Sequence, residues 1–189
     1  MAMKCPSCAA VLEKPEARCP QCRLSLQKLD MKFGLVPAHS RFLSDRTGRL
    51  PIEEMNQIRG QLRLFQKRFP QSLFSIFVTE LPAGTSVTEY AFWLANRAKF
   101  GPIEKKHGEN FNILMVVDVT ARAAAITVGY GLELHVPEKE LRNVLEEFAA
   151  AARDGDLAKG LRAVIDALTR TLREISAKAR QSDLAETAA

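Results

Sequence analysis

One stretch, Asn110 to Glu133, constrains the fold more than any other part of the chain. Within it Ile113 to Val117 is an unbroken apolar run rich in branched residues. It is too short for a globular helix, so it predicts a strand buried on both faces in the middle of a sheet. After the short polar gap from Asp118 to Arg122 the chain is apolar again from Ala123 to Val128, and a β-hairpin is the economical connection. Gly129-Tyr130-Gly131 then ends the second strand. Glycines there permit positive φ or the close approach of another backbone.

The same logic extends in both directions. Leu73 to Val78 is a second continuous apolar run, bounded by Pro70 and Pro82, and predicts a second buried strand. Before it, Pro51 suits the first turn of a helix whose apolar positions Ile52, Met55, Ile58, Leu62, Phe65 and Phe69 step by three and four. Its other face holds Arg59, Arg63, Lys67 and Arg68, a solvated basic face or a surface for an anionic partner. After the second strand, Thr85 or Ser86 is placed to cap a helix running through Phe100, with Val87, Tyr90, Ala91, Leu94 and Ala98 on its buried side. Phe92 and the lone Trp93 fall partly off this stripe and read as second-layer core. Gly101-Pro102 stops the helix, and a polar loop with His107 beside Lys105 and Lys106 leads into the organising strand. Beyond Gly131 a helix is predicted within Pro137 to Arg153 from Leu141, Val144, Leu145 and Phe148. Asp154-Gly155-Asp156 breaks it; turn and cap account for these aspartates better than a calcium loop, whose flanking oxygen ligands are missing. Leu157, Leu161, Val164, Ile165, Leu168, Leu172 and Ile175 mark the last helix, and residues 179–189 are expected to fray. Strands alternating with helices, two of the strands wholly apolar, indicate an α/β sandwich around a mainly buried sheet.

All four cysteines precede residue 23. Cys5-Pro-Ser-Cys8 and Cys19-Pro-Gln-Cys22 are two knuckles whose spacing lets tight turns present four thiolates tetrahedrally to one zinc ion. A piece of about 20 residues has too little core to fold by burial, so metal binding must supply its stability. The expected site is closed and structural, and a redox pair or an iron centre is the competing reading. The paired pattern resembles the short zinc-ribbon family, which usually has Gly after each second Cys where this chain has Ala9 and Arg23. The ribbon is assigned to residues 1–27, followed by a linker over 28–37 with one short strand at Met31 to Val36, and by the main domain over 38–178.

The net charge of +5 permits attraction to nucleic acid or anionic lipid without requiring either. No window approaches the ~20 consecutive apolar residues of a membrane span. With no apolar signal core after Met1, the cytoplasm is the expected location. There is no Cys-His pair, no Gly-x-Ser-x-Gly elbow and no Gly-rich phosphate loop to support other hydrolase or nucleotide chemistry.

Several segments together resemble the TPM domain over roughly residues 38 to 175. They are Asp45-x-x-Gly48-x-Leu50 before a Glu-rich helix, Asn110 entering a buried strand, Val128-Gly-Tyr-Gly-Leu-Glu133, and Gly155-Asp156 followed by Gly160-Leu161. The resemblance implies a Rossmann-like α/β/α sandwich. In some members it implies calcium or magnesium held by acidic residues at strand ends, in certain plant members acid-phosphatase activity, and in others a role in photosystem repair or beside membrane receptors. Carried over by position, Asp45 matches the family's early Asp, and Asp118 matches the acidic hairpin, where the family often has two neighbouring acids. The family's Asp-Asn-Gly before the strand is Glu109-Asn110-Phe111 here. Asp45 and Asp118 are thus the candidate cation ligands, although a local turn for one and hairpin organisation for the other are structural alternatives. Three functions follow as expectations. The first is a non-catalytic accessory module that docks a protein partner through its zinc ribbon. The second is a phosphatase-like hydrolase using a calcium or magnesium ion on Asp45 and Asp118. The third is a nucleic-acid binder in which Lys4, Lys14, Arg18 and Arg23 face phosphate together.

Overall fold

The computed structural model describes residues 3–13, 16–98, 100, 111–133 and 135–187. His107, Glu109 and Asn110 lie outside them, as does Lys14. In chain order the elements are β1 (Met3–Lys4), β2 (Val11–Leu12), α1 (Leu26–Phe33), β3 (Leu43–Asp45), α2 (Ile52–Arg68), β4 (Phe74–Thr79) and α3 (Val87–Arg97). These are followed by β5 (Ile113–Asp118), β6 (Ala123–Val128), α4 (Tyr130–Glu133), α5 (Glu138–Ala151) and α6 (Leu157–Thr187).

Four strands form the main sheet in the order β3-β4-β5-β6, with β3, β4 and β5 parallel and β6 antiparallel. The organising run is an interior strand and all six of its residues are buried, as are all six of β4. The predicted hairpin is present, with Ile113 opposite Val128 and Asp118 opposite Ala123. Apolar side chains alternate between the two faces. Ile76, Val78, Met115 and Val117 pack under α2, α5 and α6, whereas Phe77, Leu114 and Val116 pack under α1 and α3. The result is an α/β/α sandwich. β3 to β4 and β4 to β5 step in the same direction across the sheet, yet α2 and α3 cover opposite faces. The two crossovers are therefore opposite in hand, and one departs from the usual right-handed rule.

Three stretches differ from the sequence reading. The segment expected as a linker with a strand at Met31 to Val36 is helical from Leu26 to Phe33 and packs on α3. Ser25 caps it through the Lys28 amide, and Leu29 is buried while Met31 stands exposed, so a helical face decides this segment. β3 was not foreseen, because three residues with two of them polar give no periodic signal. The tail expected to fray from residue 179 continues as helix to Thr187. On α2 the first stripe residue, Ile52, is 58% exposed, since the helix touches the core first through the half-buried Met55 and is buried in it from Ile58 onward.

Two glycines are required by close packing. A Cβ on Gly131 would lie 2.8 Å from the Phe111 ring, so it is an aromatic side chain that approaches closely there. On Gly160 a Cβ would lie 2.8 Å from the Ala152 Cβ and 3.0 Å from the Phe148 ring, where α6 crosses the end of α5. Gly160→Ala gains about 1 kcal/mol of helix propensity but overpacks this contact at about 1–3 kcal/mol. The expected result is a net loss of stability in a urea melt, whereas the propensity alone would give a gain.

Candidate functional site

The four cysteines converge. Each knuckle is a tight turn, in which the Ala9 amide donates to the Cys5 carbonyl and the Arg23 amide to the Cys19 carbonyl, both at 2.9 Å. Ala9 and Arg23 lie in the left-handed region, with φ of 57° and 62°. The turn thus keeps its form without the usual glycines, at a cost of about 1–2 kcal/mol per residue. Ala9→Gly and Arg23→Gly are each expected to tighten metal binding about fivefold, equivalent to about 1 kcal/mol, in a chelator competition.

The sulfur atoms of Cys5 and Cys22 are 3.6 Å apart, those of Cys8 and Cys19 are 3.7 Å apart, and all four lie within 4.8 Å of one another. A tetrahedron of thiolates about 2.3 Å from a metal such as zinc has edges of about 3.8 Å, so the donor set fits; a disulfide would bring a pair to about 2.05 Å. Without metal the thiols are not equivalent. Burial pushes Cys5 up to about 12, while the Cys22 amide pulls Cys19 down to about 6. Binding a cation must release the protons that remain, which makes affinity rise with pH.

The ribbon is fixed to the sandwich. Lys4 donates to Glu138 of α5 at 2.5 Å. Lys32 of α1 pairs with Glu89 of α3 at 2.7 Å; burial raises the Glu89 pKa, but Lys32 and Ser7 of the first knuckle bring it below its ordinary value. Asp30 receives the Trp93 indole N–H at 3.0 Å and both arms of the Arg97 guanidinium.

Asp45 and Asp118 stand at the carboxyl ends of β3 and β5 with β4 between them, so about 10 Å of sheet separates their backbones. Asp45 is level with Val78, and Asp118 with Thr79 one residue further on, which sends the two side chains to opposite faces of the sheet. The structure does not bring them together. Among the described residues, the four cysteines are the only group of three or more metal-ligating side chains.

Each aspartate is occupied by the turn it starts. Asp45 Oδ1 accepts from the Thr47 amide and hydroxyl and from the Gly48 amide, and Oδ2 accepts from the Leu50 amide at 2.9 Å. Burial raises its pKa, but these donors outweigh it and leave the carboxyl below the ordinary range. The linked stability is complete above the unfolded-state value near 3.9 and is lost as pH falls through the lower folded value. Asp45→Asn should cost about 2 kcal/mol at pH 7, and its unfolding curve should be flatter than the parent's below pH 4. Asp118 is 2% exposed, and its Oδ1 accepts from the amides of Leu81, Thr120 and Ala121.

A cleft of about 780 Å³ opens at this same end of the sheet. It is bounded by the start of α2 at Leu50 and Pro51, the hairpin turn from Asp118 to Arg122, and the α5–α6 connection from Phe148 to Leu157. Its basic residues, Arg49, Arg122 and Arg153, are far apart in the chain, and no spacing in the sequence links them. The basic face of α2 remains exposed at Arg63, Lys67 and Arg68.

Fold and site together define an α/β/α domain preceded by a four-cysteine cluster whose geometry fits a metal ion. The family model described as TPM domain matches residues 43–171, and the chain belongs to that family. Solved structures share its fold. The N-terminal domain of a protein from P. gingivalis is 22% identical, with TM-score 0.59, covering 70% of this chain and 82% of that one. BA42 protein from the psychrophilic bacterium Bizionia argentinensis is 18% identical, with TM-score 0.56, covering 69% and 86%. The N-terminal domain of a Corynebacterium glutamicum protein is 13% identical, with TM-score 0.54, covering 71% and 82%. No curated protein matches the chain. Among the described residues, no helix is long and apolar enough to cross a membrane.

Proposed function

We propose that the protein is a non-catalytic accessory module, in which a structural zinc ion shapes the ribbon and the ribbon presents a docking surface for a protein partner. The observation that carries this reading is the four-sulfur cluster on a head held against the sandwich by Lys4, Lys32 and α1. All four coordination positions are taken by sulfur, which leaves none for substrate or water. Apolar side chains lie exposed on the ribbon and on the segment that follows it, with Val11 58%, Met31 80% and Leu35 94% exposed.

The cation-dependent hydrolase reading lacks convergent oxygen ligands, since Asp45 and Asp118 point to opposite faces and accept backbone amides. The nucleic-acid reading loses one of its cations, because Lys4 is paired with Glu138. The test has two parts. Elemental analysis of the purified chain should give one zinc, lost in Cys8→Ser. Phenyl phosphate with added calcium or magnesium should not turn over, and turnover that disappears in Asp118→Asn would overturn the non-catalytic reading.

A further inference from the structure

The cleft at the carboxyl ends of the strands holds more cationic donors than the protein itself uses. Its floor is apolar, formed by Val117, Ala124, Leu145, Phe148 and Leu157, and its volume falls in the range of small-molecule sites. The three carboxylates at its wall are already committed. Asp118 holds three backbone amides, Asp156 accepts the Lys159 amide at 2.8 Å at the start of α6, and Glu54 is paired with Arg162. The basic residues are not. Arg49 reaches only the exposed Glu80, at 3.4 Å, and Arg122 and Arg153 bond to no described protein group.

Arg122 carries a second sign. It closes the β5–β6 hairpin with φ of 50°, in the left-handed region where glycine or asparagine costs less. A guanidinium is thus kept at the mouth of the cleft in a backbone conformation that disfavours it. A cation would meet two guanidinium groups with no partner among the described residues, whereas an anion would pair with them over an apolar floor.

We propose that this cleft binds a small organic anion with an apolar body, its carboxylate or phosphate held by Arg122 and Arg153 without a metal ion. This site is separate from the ribbon, and it does not depend on what the ribbon docks. The chemistry is recognition only: the guanidinium pair fixes the head group, the apolar floor takes the body, and no bond is made or broken.

The test is calorimetric titration of the full zinc-loaded chain, in buffer free of calcium and magnesium, with inorganic phosphate, phenyl phosphate and 4-phenylbutyrate. Saturable binding of at least one aromatic anion is expected, with inorganic phosphate about tenfold or more weaker because it leaves the floor unfilled. Arg153→Gln and Arg122→Gly should each weaken binding about tenfold or more. Arg122→Gly should at the same time raise Tm by relieving the left-handed turn, which separates a lost ligand contact from a damaged fold. Lys139→Gln, at the opposite end of α5, should change neither. Binding of both head groups, or of one alone, supports the site and differs only in the head it assigns. Absence of saturable heat with all three probes in the folded chain, or affinity unchanged in both arginine variants, would overturn it.

Discussion

Removal of the proposed zinc ion by a strong chelator is expected to unfold the ribbon, residues 3–24, and to leave the sandwich folded. The ribbon has one ladder of two-residue strands, and among its described residues only Cys5 and Cys19 are buried. Ordering about 20 residues costs more than so small a core returns, whereas a structural zinc ion supplies about 10–16 kcal/mol when it binds. Amide exchange read by NMR during zinc release should show protection lost at the knuckle amides of Ala9 and Arg23. Protection should be retained on β4 and β5, whose residues are buried on both faces. Cys8→Ser should reproduce the pattern without chelator. Protected knuckle amides in the metal-free chain would mean that contact with α3 and α5, and not the metal, holds the ribbon.

Trp93→Ala is expected to cost about 3–5 kcal/mol, among the largest effects of any single substitution in the sandwich. The indole is 1% exposed, lies 5.2 Å from the Phe33 ring and 5.5 Å from Tyr90 between ring centroids, and donates to Asp30. It is therefore the anchor of α1, and α1 leads directly from the second knuckle to the body. A denaturant melt should show the loss in midpoint, and exchange on Leu26–Phe33 should accelerate more than exchange on β5. Trp93→Phe keeps an aromatic ring and removes the indole donor, and should cost about 1–2 kcal/mol. Equal losses in the two variants would show that the hydrogen bond to Asp30, and not ring packing, anchors α1.

Much of the architecture was legible in the chain. A strand buried on both faces needs an uninterrupted apolar run, and Leu73 to Val78 and Ile113 to Val117 have no other economical reading at their length. The long helices announced themselves through apolar spacing and through caps. Ser86 accepts the Glu89 amide and Asp156 the Lys159 amide, as their positions implied. The four-cysteine cluster was legible from spacing alone, because Cys-x-x-Cys turns are local and two of them close on one point. Less local features were hidden. Trp93 lies off the stripe of α3 because that stripe was defined against the sheet; a second layer, α1, arrives from residues 26–33 and covers the remaining side. No pattern within α3 announces a partner helix about 60 residues away in the chain.

The candidate sites divide along the same line. Thiolate clustering needs only short-range geometry, so Cys5, Cys8, Cys19 and Cys22 were fixed as a group by their spacing. Asp45 and Asp118 depended on register. A shift of one residue along a strand turns a side chain to the other face, and no sequence reports that shift between strands paired through β4. The cleft arginines depended on topology, since Arg49, Arg122 and Arg153 line one cleft only after the α5–α6 hairpin folds back over the sheet ends. By itself the sequence determined the layered α/β class through periodicity and the four-cysteine cluster through short spacing, and the resemblance of its motif segments pointed to the family. Only the tertiary structure decided which faces the acids took and which cations have no ion-pair partner among the described residues, because both are set by contacts between segments distant in the chain.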